Sequence, residues 1–286
     1  MQTSTTGTRL ANRKTTFLRG SPGPLRQEAR PIERVGRFVL LGRLGTGGMG
    51  LVHKAFDPAT RRLVALKTPA PADPTGSELR RRSLECEYAT LLEVRGPHVI
   101  RAYEADFVGQ VPYVAMELIE GVTLAQRTGA GPVTEPHLAR VLVPLVRALR
   151  SVHGAGYVHR DVKPSNVLIG RNGRVVLADF GLATPVSAMR GLALGSSIVG
   201  TPSYMSPEQM FGEEEVDARS DLFAFGCVLH ECLCGVPPFR GSSLDEIQSM
   251  LSAGAPPIVD SSGRGVPPAL ARLTEELLSR RRADRP

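Results

Sequence analysis

Apolar residues fall in two rhythms along this chain of 286 residues. Short runs come first. Phe38-Val39-Leu40-Leu41, Leu51-Val52-His53-Lys54-Ala55 and Leu63-Val64-Ala65-Leu66-Lys67 have strand length, and a glycine-rich loop separates the first two. They predict a hairpin followed by a third strand. Ser77 to Val94 then places Leu79, Leu84, Tyr88, Leu91 and Leu92 at mostly helical spacing. Two more strands are predicted near 99–106 and 111–116. Beyond Gly121 the rhythm turns helical, over 135–153, 218–234 and 267–280, with short strands around 166–169 and 174–177. A small β-rich lobe therefore precedes a larger α-helical lobe, an α+β architecture with no internal repeat.

The first 34 residues follow neither rhythm. They are rich in Thr, Arg, Gly and Pro, with a breaker cluster at Ser21-Pro22-Gly23-Pro24. Through residue 35 the chain carries seven cations against Glu28 and Glu33, a net +5 of the +7 for the whole sequence. This composition predicts a disordered, solubilising arm over 1–34. Its charge alone is no basis for nucleic-acid binding. The arm lacks the apolar stretch of a signal peptide. The most apolar window, 223–239, is broken by His230, Glu231 and Pro237, whereas a membrane span needs about 20 mostly apolar residues. Cys86, Cys227, Cys232 and Cys234 form no C-x-x-C pair and read as buried reduced thiols. Together these features point to a cytoplasmic protein. Only four of the 35 cations are lysine: Lys14, Lys54, Lys67 and Lys163.

Four motifs carry chemistry. Gly45-Thr46-Gly47-Gly48-Met49-Gly50 fits G-x-G-x-x-G, in which backbone N–H groups approach phosphate oxygens without side-chain obstruction. A strand rather than a helix follows it, which argues against a dinucleotide fingerprint. Lys67 ends a strand, where a compact ammonium can meet a phosphate. In a chain that writes nearly every cation as arginine, Lys67 and Lys163 are unlike incidental surface charges. His159-Arg160-Asp161-Val162-Lys163-Pro164-Ser165-Asn166 places an acid, a lysine and an amide oxygen in one loop. Asp179-Phe180-Gly181 adds a second carboxylate suited to a hard cation.

In this order and spacing, the four motifs resemble the protein kinase family, and within it the bacterial serine/threonine kinases. The resemblance runs from Val35 to Pro286. It implies an N-lobe over 35–116, a hinge at 117–121 and a C-lobe over 122–286. By resemblance, Leu44 and Gly45 to Gly50 cover the ATP phosphates. Val52 and Ala65 sandwich the adenine from above and Leu168 from below, Met116 is the gatekeeper, and Glu117 to Ile119 offer backbone to the base. Lys67 holds phosphates and pairs with a helical glutamate. Glu85 and Glu87 both qualify, and the count back from Pro97 selects Glu87, with Leu91 one turn on facing Phe180. Asp161 is the base, Lys163 steadies the transferring group, and Asn166 and Asp179 hold Mg²⁺, for which Mn²⁺ could substitute. Thr201 bonds Asp161 and Lys163, a serine/threonine-specific pattern. Glu208 pairs with Arg285, and Asp221 braces the catalytic loop.

The resemblance also implies that Arg160 meets a phosphorylated residue of the activation loop. Thr184, Ser187, Ser196 and Ser197 are available, with Ser196 and Ser197 nearest the family position. Protein substrates follow from the 201–208 segment, and a homodimer would serve trans-autophosphorylation. Two departures stand out. The family continues with one more helix after Arg285-Pro286, and Ala102 replaces a common leucine. The alternative reading is a pseudokinase that binds ATP without transfer. It would ordinarily lack Lys67, Asp161 or Asp179, and all three are present.

Overall fold

Alternating apolar positions make the first half of the fold. In the computed structural model, β1 (Arg34–Val35), β2 (Phe38–Gly47), β3 (Gly50–Asp57), β4 (Arg62–Thr68), β5 (Ala102–Val108) and β6 (Val111–Glu117) form one antiparallel sheet in the order β1-β2-β3-β4-β6-β5. The structure describes residues 33–47, 50–69, 77–109, 111–133, 135–186, 200–212, 215–258 and 265–286. The arm through residue 32, Gly48, Met49, Ser187, Ser196 and Ser197 lie outside the described residues.

Phe38, Ala55, Val64, Leu66, Tyr113 and Ala115 form a small core on one face of the sheet. The opposite face carries α1 (Ser77–Glu93), which packs against β5 and β6. The sheet curls enough for Arg37 to bond Asp57 at 2.8 Å and Glu104 at 2.6 Å, linking the β1–β2 turn to the far edge strand. That contact holds the Asp57 carboxyl down at about 2, chiefly through the Arg37 hydrogen bond.

A short segment then crosses into the helical region: β7 (Gly121–Thr123), α2 (Leu124–Thr128) and α3 (Glu135–Gly154). The pairs β8 (Tyr157–Val158) with β11 (Thr184–Pro185), and β9 (Val167–Gly170) with β10 (Val175–Leu177) and β7, frame the loops that carry the motifs. Below them lie α4 (Pro207–Phe211), α5 (Ala218–Cys234), α6 (Leu244–Ala253) and α7 (Pro268–Leu277). Helix α5 is almost wholly buried. Asp217 caps its start, accepting from the Arg219 N–H, and Gly235 ends it in the left-handed region at φ 80°. One apolar cluster runs from Ala65 and Leu91 through Phe180 to Leu229, joining sheet and helices. Among the described residues no helix is long and apolar enough to cross a membrane.

Several boundaries differ from the sequence reading. The glycine stretch at 45–47 is not a loop. It stays in β2, with Gly45 opposite Val52 and Gly47 opposite Gly50, after two register shifts. The strand expected from 99 starts at Ala102, because Val99 bridges Leu177 and the Ile100 N–H donates to the Leu177 carbonyl. The apolar rhythm of the sequence does not predict helices α2, α4 and α6. The first two have five residues each, too few to show a period, and capping boxes (Thr123 with Gln126, Ser206 with Gln209) set their starts. Cys86 is exposed on α1, unlike the three buried thiols of α5. Its neighbours Leu84, Glu87 and Leu91 take the inward face instead.

Candidate active site

Strand β4 delivers Lys67 to the inside of the sheet, opposite Val52 on one side and Val114 on the other. Its ammonium lies 2.6 Å from Glu87 Oε2 and 2.8 Å from Asp179 Oδ1. Burial alone would pull the Lys67 ammonium down, but the Glu87 and Asp179 charges outweigh it and hold it above its ordinary value. Burial pushes the Asp179 carboxyl up, and Lys67 outweighs that too, leaving it below the carboxylate range. Of the two glutamates considered, Glu87 is 1% exposed and Glu85 is exposed, because Glu87 shares the helix face of Leu84 and Leu91.

Asp221, fully buried near the start of α5, organises the loop after β8. Its two carboxylate oxygens accept the backbone N–H groups of His159 and Arg160 at 2.8 Å each, and Oδ2 also meets His153 Nε2 at 2.8 Å. The loop is thereby held in a conformation it would otherwise avoid, with Arg160 at φ 68°. Asp179 is held similarly at φ 65°. His159 is buried against Phe180, with ring centroids 4.6 Å apart at 66°. Burial pulls the His159 imidazole below its ordinary value, so it stays neutral.

Asp161 sits at the centre of this loop. Lys163 Nζ is 2.7 Å from its Oδ2 and 2.7 Å from Thr201 Oγ1, and the Thr201 hydroxyl donates to Asp161 Oδ1 at 3.3 Å. Asn166 Nδ2 donates to the Asp161 carbonyl at 2.9 Å and to its Oδ2 at 3.1 Å, which turns the amide oxygen away from Asp161. The loop thus gathers a carboxylate, an ammonium, a hydroxyl and an amide oxygen. Arg160 Nη1 donates to Thr184 Oγ1 at 3.1 Å, while its buried Nε has no hydrogen-bond partner among the described residues.

The cleft implied by the resemblance would lie between sheet and helical region. Val52, Ala65 and Met116 stand on the sheet side of the apolar cluster there, Ala65 directly opposite Met116. Leu168 on β9 and Ile119 pack against the same apolar cluster. Leu44, Gly45, Thr46 and Gly47 lie at the end of β2, with Leu44 exposed, and Gly50 opens β3. The 117–121 segment is fixed at several points. Glu117 accepts two bonds from Arg174, at 2.6 and 3.0 Å, and the Arg101 N–H at 2.9 Å. Glu120 Oε1 meets Lys54 Nζ at 2.7 Å. A Cβ on Gly121 would run into the Ile169 carbonyl on β9, so only glycine fits. Sequence reasoning missed Lys54, Glu120 and Arg174. For Lys54 the signal was present, since it is one of the four lysines.

Below the cleft, Arg285 grips Glu208 through two bonds, at 2.7 and 2.9 Å, and stands 4.9 Å from the centre of the Phe223 ring. Ser220 donates a third bond to Glu208 at 2.6 Å. Burial pushes the Glu208 carboxyl up, but the Arg285 bonds and charge outweigh it and leave it below its ordinary value.

A sheet that presents a paired lysine, and a loop that presents an acid beside a second lysine, make up the candidate site. The protein kinase domain model matches residues 38–286, and the chain belongs to that family. It is 35% identical over 252 residues to the serine/threonine-protein kinase PknD of Mycobacterium tuberculosis, covering 87% of this chain and 38% of the relative. It is 33% identical over 260 residues to PknH of Mycobacterium bovis, covering 91% and 43%. It is 37% identical over 254 residues to AfsK of Streptomyces coelicolor, covering 88% and 31%. The chain therefore spans less than half the length of these relatives.

Proposed function

We propose that this chain is a protein-serine/threonine kinase that transfers the ATP γ-phosphoryl group to Ser or Thr hydroxyls of proteins. One observation carries the reading: Asp161 is flanked at once by Lys163, Asn166 and Thr201, while Lys67 is paired with both Glu87 and Asp179. The substrate hydroxyl oxygen attacks the γ-phosphorus, the bond to the ADP oxygen breaks, and the hydroxyl proton passes to the Asp161 carboxylate. Lys163 neutralises charge on the transferring group, and Lys67 orients the α- and β-phosphates. Because the transition state is loose and anionic, positioning and charge supply most of the catalysis. Val52, Ala65, Met116 and Leu168 hold the adenine, with the backbone of Glu117 to Ile119 at its edge. Gly45 to Gly50 cover the phosphates.

The Asp179 carboxylate and the Asn166 amide oxygen, turned away from Asp161, are hard donors of the kind Mg²⁺ takes, and the remaining ligands would come from phosphates and water. Bound there, the cation would offset phosphate charge. The Lys163–Thr201 contact supports aliphatic rather than phenolic acceptors. The partly buried Arg160 guanidinium, whose Nε has no partner among the described residues, supports a phosphorylated activation loop, with Ser196 and Ser197 the favoured acceptors and a homodimer the vehicle.

Radiolabelled ATP with a generic basic protein substrate tests the reading. Wild type is expected to label the substrate and Asp161→Asn is not. Equal labelling by both would overturn the assignment. Peptide mapping after incubation with Mg-ATP is expected to place phosphate on the activation loop; a loop that gains none would remove that part.

A further inference from the structure

Lys54 has no part in the chemistry above, yet it shares the peculiarity that singled out Lys67 and Lys163. The chain contains four lysines among 35 cations. Lys14 lies outside the described residues, and the other three are all ion-paired around one cleft: Lys67 with Glu87 and Asp179, Lys163 with Asp161, and Lys54 with Glu120. Elsewhere the protein builds its ion pairs with arginine, as in Arg37–Asp57, Arg174–Glu117 and Arg285–Glu208.

The register shows where Lys54 points. Lys54 stands directly opposite Ala65 and Val52 opposite Lys67, so all four side chains share one face of the β3–β4 ladder. In the nucleotide reading proposed above, that face is the roof of the cleft. From it Lys54 reaches Glu120 at 2.7 Å, and Glu120 sits next to Gly121, whose backbone presses on β9 beneath. The Glu120 carbonyl also accepts the Arg171 N–H, which fixes the lower anchor. The contact therefore runs from the roof of the cleft to the end of the linker. The two side chains are 32% and 51% exposed, so the contact is at the solvent edge, and Lys54 draws the Glu120 carboxyl below its ordinary value.

We infer that Lys54 and Glu120 form a clasp across the outer edge of the nucleotide cleft, a positioning pair that sets how long a nucleotide stays bound. The inference rests on the nucleotide reading of the cleft. An exposed Lys–Glu contact adds little to fold stability. At the mouth of a cleft, however, opening it can be a step every departing nucleotide must pass. Lysine suits this better than arginine. Its single hydrated ammonium lets go and re-forms readily, whereas a guanidinium would grip Glu120 through two bonds.

Release of unlabelled ADP can be followed by preloading the full chain with ADP and timing its uptake of excess mant-ADP. Lys54→Met and Glu120→Gln are each expected to speed release about two- to fivefold, the range an exposed ion pair supports. The double variant should be no faster than either single one. Exchanging the residues, Lys54→Glu with Glu120→Lys, should restore release to within about twofold of wild type, and Lys54→Arg should match or slow it. The effect should shrink as salt rises from about 0.05 to 0.5 M. If wild type exchanges nucleotide but the single variants release ADP at the wild-type rate, or their effects multiply in the double variant, the clasp is overturned alone. If wild type takes up no mant-ADP, the nucleotide reading falls and the clasp with it.

Discussion

Lys67 and Glu87, 20 residues apart in the chain, meet at 2.6 Å with both side chains almost fully buried. The contact fixes α1 against the sheet and keeps the lysine aimed at Asp179. Replacing Lys67 with Met leaves Glu87 buried without its cation, where burial drives its carboxyl up toward the neutral form. Phosphoryl transfer at saturating ATP is expected to fall by about 10²–10³, the scale for losing one preorganised charge at a transition state. Initial rates check this, and an unchanged rate would reassign Lys67.

Thr201 both receives Lys163 and donates to Asp161. Thr201→Ala removes the bridge and leaves both charged groups in place. The expected loss is about tenfold, mostly in kcat, and Thr201→Ser should recover most of it. A change confined to KM would mean that the hydroxyl binds substrate rather than orienting the loop.

Much of this site is contiguous in the chain, which is why it was legible. Asp161, Lys163 and Asn166 lie within six residues, and their chemistry is visible without a fold. Glu87 needed more: a helix face shared with Leu84 and Leu91 separates it from Glu85. The linker contacts were beyond reach. Arg174 meets Glu117 across 57 residues and Lys54 meets Glu120 across 66, and no local period announces either pairing. Strand β5 began later than expected for the same reason, since Val99 and Ile100 take partners from Leu177, far along the chain.

The Glu208–Arg285 pair predicts a pH-dependent stability. The folded Glu208 carboxyl lies below its ordinary value, so the pair stabilises fully above the unfolded glutamate value, about 4.3, and loses that contribution as pH falls through the folded value. Glu208→Gln should cost about 3–5 kcal/mol near neutrality. The gap to wild type should narrow below about pH 4. Denaturant midpoints at several pH values measure it, and a gap that stays constant would dismiss the ion pair as its source.

Gly121→Ala tests the linker from below. The new Cβ meets the Ile169 carbonyl and the Gly170 Cα, both backbone atoms that cannot step aside cheaply. Overpacking of this kind costs about 1–3 kcal/mol, so the melting temperature should drop. Nucleotide affinity should fall with it, because the linker moves off β9. Calorimetric titration with ADP checks the second effect; unaltered affinity would separate the linker from the cleft.

The Arg37 contacts with Asp57 and Glu104 have a meaning for synthesis as well as for shape. As the chain leaves the ribosome, β2, β3 and β4 can pair in turn, each with its immediate predecessor. Strand β4, however, must wait for β6, and Arg37 must wait for Glu104, before the curl can close. Until Glu117 at the end of β6 has emerged, β4 presents an unpaired edge. The nascent sheet is then most open to pairing with the wrong strand, and closure of the curl ends that exposure.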